Sequence, residues 1–399
     1  MKRLLCLLAI LVTTGSSLHA QIYADFETTL GNFSCELNYI AAPKTVANFV
    51  GLATGQRKWQ DSSVGVIREN APFYDGLTFH RVIADFMNQG GSRNGLGTDM
   101  PGYVFPDETD NGLTHQAYVI SMANSGTYTN GGQFFITTVP TAWLNGKHSV
   151  FGNVTSGTSV VDAINHVPTT NDRPNVPVII NKVTIRRVGT AANAFDIAAQ
   201  NLPEVSNFLC DLNVTYPTKV DAVPRSPRPG GTMTHVYVSG DLISWTNTRS
   251  NSLGFGDPVA TPFEIHTPLG FATEIGPKNF FRFVRSTHSD VLRPQSFSNR
   301  VLRIVWPGNN NVLTYTFNAA GTGGTVVYDA SPTPRAILGV YPQSTPYDVI
   351  IETEYFYPFK ISMARTGETQ THFTGTHKLS QWTNSAWNYL GGGTAILTK

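Results

Sequence analysis

Short apolar runs, cut apart by glycine, proline and asparagine turns, constrain this chain more than any other feature. Runs of this length that bury alternate residues read as strands. Residues 24–28 and 32–37 flank a turn at Leu30 and Gly31, and the pattern returns at 77–83, 118–123, 134–138 and 178–188. Only two stretches keep a helical period. Pro43 opens one, with Val46, Phe49, Val50 and Ala53 on one face and Gly55 placed to end it. The other is 159–166, with Val160, Val161 and Ile164 facing a core. Residues 56–72 are polar and read as an inserted loop, and 88–102 as a long glycine-rich loop. The implied architecture is mainly β: a closed antiparallel barrel capped by helices.

A chain of 399 residues is too long for one ordinary domain. The first twenty residues set Lys2 and Arg3 before the apolar run 4–12 and a small, polar stretch to Ala20. That is the pattern of a secretory signal peptide, too short to span a bilayer, with cleavage expected after Ala20. Export to the periplasm, the cell surface or the medium follows as an expectation. No later stretch is apolar enough to make a transmembrane segment. The expected divisions are a signal peptide at 1–20, a first domain at 22–189, a linker at 190–203, a small β-rich module at 204–290 and an all-β module at 291–399. The last two amount to one or two sandwiches or barrels, with strands at 235–239, 244–248, 279–285, 300–306, 312–317, 325–329, 349–356 and 370–377. With a net charge of +1 and no basic block, nothing points to nucleic acid. Beyond the leader the cysteines are Cys35 and Cys210, either one disulfide or two thiols. Cys35 alternates with Phe33 and Leu37 as a core residue, which favours separate thiols.

The residues that carry chemistry lie in the first domain. They are Phe79-His80-Arg81, Phe86-Met87-Asn88-Gln89-Gly90-Gly91, Ser121-Met122-Ala123-Asn124, Asn130-Gly131-Gly132-Gln133-Phe134-Phe135-Ile136, and Trp143-Leu144-Asn145-Gly146-Lys147-His148 before Val150-Phe151-Gly152. In this order and spacing they resemble the cyclophilin family of peptidyl-prolyl cis–trans isomerases over about residues 22–189. The resemblance implies Arg81, Gln89 and His80 at the catalytic centre. It implies Phe86, Met87, Ala123, Asn124, Gln133, Phe135, Trp143, Leu144 and His148 in substrate binding. Unfolded or Pro-containing polypeptides would be the partners. Trp143 implies affinity for the cyclic peptide cyclosporin, through its indole donor and flat face.

The chemistry fits those residue types. Turning an X–Pro bond crosses a barrier of about 18–20 kcal/mol, because amide resonance is lost in the twisted state. A catalyst needs an apolar pocket for the proline ring, donors for the flanking backbone, and a cation or donor aimed at the amide nitrogen as its lone pair appears. Arg81 suits the last task, and Gln89, Asn124 and Gln133 suit the second. The reaction needs no cofactor and no metal. His372 and His377 point to opposite faces of a strand and lack a cysteine or carboxylate partner. The alternative reading is a non-catalytic Pro-peptide binding or chaperone module targeted by its β-rich extension, which in turn is a candidate for a surface or carbohydrate partner through Trp306, Trp382, Trp387 and Tyr389. Departures from the family pattern are the 56–72 insertion, expected to narrow or extend the groove, Asp85 in place of glycine, Thr127 in place of proline, and Tyr128 beside it.

Overall fold

The computed structural model describes residues 20–207 and, beyond them, 210–215, 219–224, 232–239, 246–252, 263–265, 280–287, 297, 300–306, 311–328, 331–342, 347–353, 359–368, 372–383 and 386–398. The expected leader, the Cys210 thiol, the His372 ring and the Trp382 and Trp387 side chains lie outside the described residues.

The first half holds twelve strands: β1 (Gln21–Thr28), β2 (Gly31–Leu37), β3 (Trp59–Asp61), β4 (Val66–Arg68), β5 (Arg81–Ile83), β6 (Met87–Gly90), β7 (Val119–Met122), β8 (Phe134–Thr137), β9 (Val150–Ser156), β10 (Thr169–Thr170), β11 (Arg173–Pro174) and β12 (Ile180–Val188). Eight of them make one curled antiparallel sheet in the order β12-β1-β2-β9-β7-β8-β6-β5. The expected closed barrel is therefore a curled sheet with a seam. Thr78 bridges the seam, touching Ile179 beside β12 and Ser92 beyond β6. The run 77–83 does not make one continuous strand, because only Arg81–Ile83 joins a ladder.

Alternation in β1 and β2 sends Ile22, Ala24, Phe26, Phe33, Cys35 and Leu37 inward. Phe26 stacks on Phe33 at 4.6 Å, and Phe49, Phe134 and Phe151 complete an aromatic centre. Burial pushes the Cys35 thiol far up, which suits a packing residue rather than a reactive one.

Helix α1 (Pro43–Thr54) buries Val46, Phe49, Val50 and Ala53, and Gly55 ends it at φ +73°. Its N-cap, Ala42, has only a methyl group and makes no side-chain cap. Glu108 does the capping from outside the helix, accepting from Lys44 N at 3.1 Å, Thr45 N at 2.8 Å and Thr45 Oγ1 at 2.8 Å. Helix α2 (Thr158–Asn165) buries Val161 and Ile164, while Val160 stays half-buried.

Two stretches behave otherwise than the sequence suggests. The 56–72 insertion contains the hairpin β3–β4, pinned by Trp59. That ring is buried, sits edge-on to Phe73 at 5.1 Å, and lies under the Arg93 guanidinium at 4.8 Å. The 190–203 stretch packs on the first domain instead of spanning a gap. Its helix α3 (Thr190–Asn193) sends Ala192 into the N-terminal core, which Leu202 and then Val205 also enter. Arg187 Nη1 fastens the stretch by donating to the Phe195 carbonyl at 2.8 Å.

Strand Glu204–Asn207 leads into a four-stranded sheet with Phe280–Thr287, Thr232–Ser239 and Thr246–Ser252, beside a three-stranded one. The last module is a closed eight-stranded barrel running from Val301–Val305 to Ala386–Thr398. Its first and last strands pair at Leu302 and Leu397. Closure removes both sheet edges. Trp306 packs on Tyr328 at 5.8 Å and on Phe359 at 5.7 Å, so its face belongs to the barrel's own packing.

The barrel rests on the first domain. Lys378 Nζ, on strand His372–Thr383, reaches Asp107 Oδ2 at 2.9 Å, and these side chains are only 4% and 0% exposed. The same ammonium donates to Thr109 Oγ1 at 2.9 Å and to the Gly146 carbonyl at 3.3 Å. Beside it, Val104 and Tyr128 pack with Tyr347 and Ala364 of the barrel. Tyr128 adopts φ +58° and meets Tyr347 edge-on at 5.7 Å. This bulky departure from the family pattern is thus a docking residue.

Candidate active site

Register lines up the functional residues before any side chain is considered. Arg81 pairs with Gln89, Gln89 with Phe135, and Phe135 with Ser121. One row thus crosses β5, β6, β8 and β7 on the outer face of the sheet. Neighbours in sequence point the other way: Phe134 and Ile136 enter the core, and Asn88 Nδ2 donates to the Val161 carbonyl of α2 at 2.9 Å.

Above the row lies a groove of about 490 Å³. It is lined by His80, Arg81, Phe86, Met87, Gln89, Ala123, Asn124, Phe135, Leu144 and His148. Gly95, Leu96, Gly97, Asn171 and Arg173 line it as well, which the sequence reading did not single out. Gln133 lines an adjoining cavity of about 110 Å³ together with Gln89, Ala123 and Asn124. Trp143 stands at the rim, 60% exposed, with its ring 5.8 Å from that of Phe86. No residue of the 56–72 insertion lines the groove, so it neither narrows nor extends it. A cavity of about 600 Å³ near that insertion contains none of the candidate site residues.

The polar groups are ordered by a relay. Arg81 Nη1 donates to Gln89 Oε1 at 3.5 Å, Gln89 Nε2 to Gln133 Oε1 at 3.1 Å, and Gln133 Nε2 to the carbonyls of Gly97 and Asp99 at 3.0 Å each. Each amide is therefore oriented by the next. Gly91 and Gly132 cross beneath it; a Cβ on Gly91, at φ +84°, would lie 2.4 Å from the Gly132 carbonyl oxygen. On its other side, Arg81 Nε faces Asp172 Oδ2 at 3.4 Å. Asp172 sits with Asn171 in the β10–β11 hairpin turn, at φ +63° and +51°. That residue was missed, although an Asn–Asp pair between two short runs is a turn signal. Asp85 also adopts a left-handed φ, of +56°, the conformation that glycine takes freely and aspartate tolerates.

The Phe135 ring is buried edge-on against His148 at 5.6 Å and stacked on His115 at 5.9 Å. His115 Nε2 lies 3.0 Å from Ser121 Oγ, and His115 Nδ1 lies 2.9 Å from Asn145 Oδ1. His148 Nδ1 lies 2.9 Å from the Met122 carbonyl, which places the proton of the neutral ring on that nitrogen. Burial lowers the pKa of both rings. Asn124 spends its side chain on the loop, donating to the Lys147 carbonyl at 2.8 Å. Burial drives the His80 pKa down to about 4, and Arg81 and Arg173 push the same way against the pull of Asp99. Burial thus favours the neutral form of the groove's histidines, which leaves Arg81 and Arg173 as the cationic side chains of its lining.

A pH effect follows. His80 binds a proton near its ordinary pKa of about 6.5 when unfolded, but only near 4 when folded. Its neutral burial therefore stabilises the fold above about pH 6.5, and that contribution is lost as pH falls towards 4. Denaturant unfolding at pH 7 and pH 4.5 is expected to show a smaller acid destabilisation for His80→Phe than for the unaltered chain; equal drops would assign the effect to other groups.

Known proteins resemble the first half of the chain. Residues 23–185 match the family model described as cyclophilin type peptidyl-prolyl cis-trans isomerase/CLD. A peptidyl-prolyl cis-trans isomerase B of Streptomyces anulatus is 49% identical over 171 residues, covering 41% of this chain and 97% of that protein. A peptidyl-prolyl cis-trans isomerase A of Mycobacterium tuberculosis is 47% identical over 168 residues, covering 41% and 91%. A solved cyclophilin-type isomerase of Cryptosporidium parvum aligns at 27% identity over 42% of this chain and 98% of that one, with a TM-score of 0.37. By its first half, the chain belongs to the cyclophilin-type peptidyl-prolyl cis-trans isomerases.

Proposed function

We propose that this chain accelerates cis–trans isomerisation of X–Pro bonds in exported polypeptides, without a covalent step, and that Arg81 stabilises the twisted amide. The observation carrying this reading is the position of Arg81. It borders an apolar pocket, yet is held from two sides by Asp172 and the Gln89 relay rather than buried as a packing residue. A proline ring fits the pocket made by Phe86, Met87, Phe135 and Leu144, and burying about 100 Å² of it there is worth roughly 2.5 kcal/mol. As the bond twists, the amide nitrogen turns pyramidal and its lone pair becomes an acceptor. The guanidinium fork meets that lone pair only in the twisted state, which is the condition for a gain in rate. The main chain of Asn124 and the amide of Gln89 hold the flanking backbone.

Export rests on Lys2, Arg3 and the apolar run that follows. X–Pro isomerisation takes tens to hundreds of seconds unaided, slow enough to limit folding of a newly exported chain. The test is turnover of a short Ala-Pro peptide by the purified protein; a folded chain that leaves the uncatalysed rate unchanged would overturn the reading. Cyclosporin is expected to inhibit this turnover, and Trp143→Ala to weaken the inhibition about tenfold or more, as loss of an aromatic anchor does. Equal inhibition of both proteins would remove Trp143 from the drug site.

A further inference from the structure

The groove is lined from two sources. Arg81, Gln89 and Phe135 stand on paired strands of one sheet. Asn124, Leu144 and His148 stand on the loops that follow β7 and β8. Asn124 Nδ2 joins the two loops by donating to the Lys147 carbonyl at 2.8 Å. Behind them lies a cavity of about 450 Å³, which Asn124, Lys147 and His148 line from one side and Tyr389 of the barrel from the other. The loops therefore have room to retreat from the groove.

One ammonium of the barrel ties both of them down. Lys378 Nζ donates to the Gly146 carbonyl at 3.3 Å, at a residue midway between Leu144 and His148. It also donates to Asp107 Oδ2 at 2.9 Å and to Thr109 Oγ1 at 2.9 Å. The Asp107 carboxylate in turn grips the other loop. Its Oδ2 accepts from Tyr128 N at 3.1 Å, and its Oδ1 from Asn130 Nδ2 at 2.9 Å and Asn124 Nδ2 at 3.4 Å. The side chains of the ion pair are 4% and 0% exposed, and in such dry surroundings these polar contacts are strong. The rings of Tyr128 and Tyr389 flank the ammonium at 5.7 and 5.9 Å.

We propose that Lys378 is a positioning residue for the isomerase: through Asp107 and Gly146 it fixes the loop wall of the groove at the distance that closes the proline pocket. This inference rests on the isomerase reading and makes the barrel a working part of the enzyme, although Lys378 itself does not line the groove. A loosened wall grips the proline ring less well in the planar and twisted states alike, which is a loss in KM. Arg81, Gln89 and Gln133 are oriented from elsewhere, by Asp172, Gly97 and Asp99 of the first domain, so kcat should hold.

The test is steady-state kinetics of the full chain on an Ala-Pro peptide, beside denaturant titration of three variants. Lys378→Ala is expected to raise KM about threefold to tenfold and to leave kcat within about twofold, because only contacts common to both states are weakened. Lys378→Ala with Asp107→Asn removes the stranded charge and regains stability, but Gly146 stays unheld, so KM should stay raised. Leu302→Ala opens a gap in the barrel core and should lose stability at an unchanged KM. An unaltered KM in both Lys378 variants overturns the proposal. So does a KM that rises equally in Leu302→Ala, or one that returns to normal as the double variant regains stability. In each of these cases turnover by the unaltered chain leaves the isomerase reading standing, whereas a folded, unaltered chain without turnover overturns both. Should Lys378→Ala alone fail to fold, the double variant set against Leu302→Ala decides.

Discussion

Arg81→Ala is expected to lower kcat/KM on an Ala-Pro peptide by about 10²–10³-fold, the usual effect of removing one donor that acts on the transition state. The loss should fall on kcat rather than KM. The pocket of Phe86, Met87, Phe135 and Leu144 remains, and the ground-state amide nitrogen has no lone pair to offer. Stability should hardly change, because the Arg81–Asp172 pair is nearly half exposed on both sides and such pairs contribute about 1 kcal/mol or less. Arg81→Lys should recover only part of the rate, since a single ammonium cannot reproduce the fork that Asp172 and Gln89 orient. A variant that keeps full kcat would transfer the catalytic role away from this residue. One that loses KM alone would make Arg81 a binding group.

Lys378→Ala should be the most damaging substitution outside the groove. It leaves the Asp107 carboxylate, shielded from solvent, without its cation, and breaking one side of a buried pair costs about 3–5 kcal/mol. The remaining partners of Asp107, namely Tyr128 N, Asn130 Nδ2 and Asn124 Nδ2, are uncharged and only partly compensate. Denaturant titration is the measurement, with Asp107→Asn added in a second variant. The asparagine removes the stranded charge and keeps an acceptor, so the double variant should be more stable than Lys378→Ala alone. If Lys378→Ala costs less than about 1 kcal/mol, the barrel is not locked to the first domain through this pair.

Much of the first domain was legible because its signals are local. Phe33, Cys35 and Leu37 alternate within one strand. Pro43 and Gly55 bracket one helix, and that helix buries the face the period assigned to it. The groove residues were legible through the resemblance that their five motifs carry, and antiparallel register then brings Arg81, Gln89 and Phe135 into a row. What escaped depends on partners distant in sequence. Trp59 makes a hairpin out of a polar stretch only because Phe73 and Arg93 come to meet it. The apolar residues of the 190–203 stretch are mostly alanines with no regular period, and it reads as a linker until Ala192 and Leu202 find a core already formed. Strand Ser331–Pro342 carries Pro332, Pro334 and Pro342, which argue against a ladder; a register shift against the preceding strand spans the first two, and Pro342 stands at the strand's end. Lys378 looks like any lysine on a strand, and its carboxylate lies 271 residues away. No local pattern marks a charge that is buried only after two domains meet.

The pairing of the first strand has a consequence for how the molecule is made. Gln21 lies opposite Val188 and Thr28 opposite Ile180, so β1 is sandwiched between an immediate neighbour, β2, and the last strand of its domain. A chain emerging from its N-terminus can form the β1–β2 hairpin at once, but it carries an open sheet edge until residue 188 has followed. Such long-range closure belongs to slow, late-committing folding. Truncations ending before about residue 180 would present that edge, with Phe26 and Ile22 behind it, to any other strand in reach.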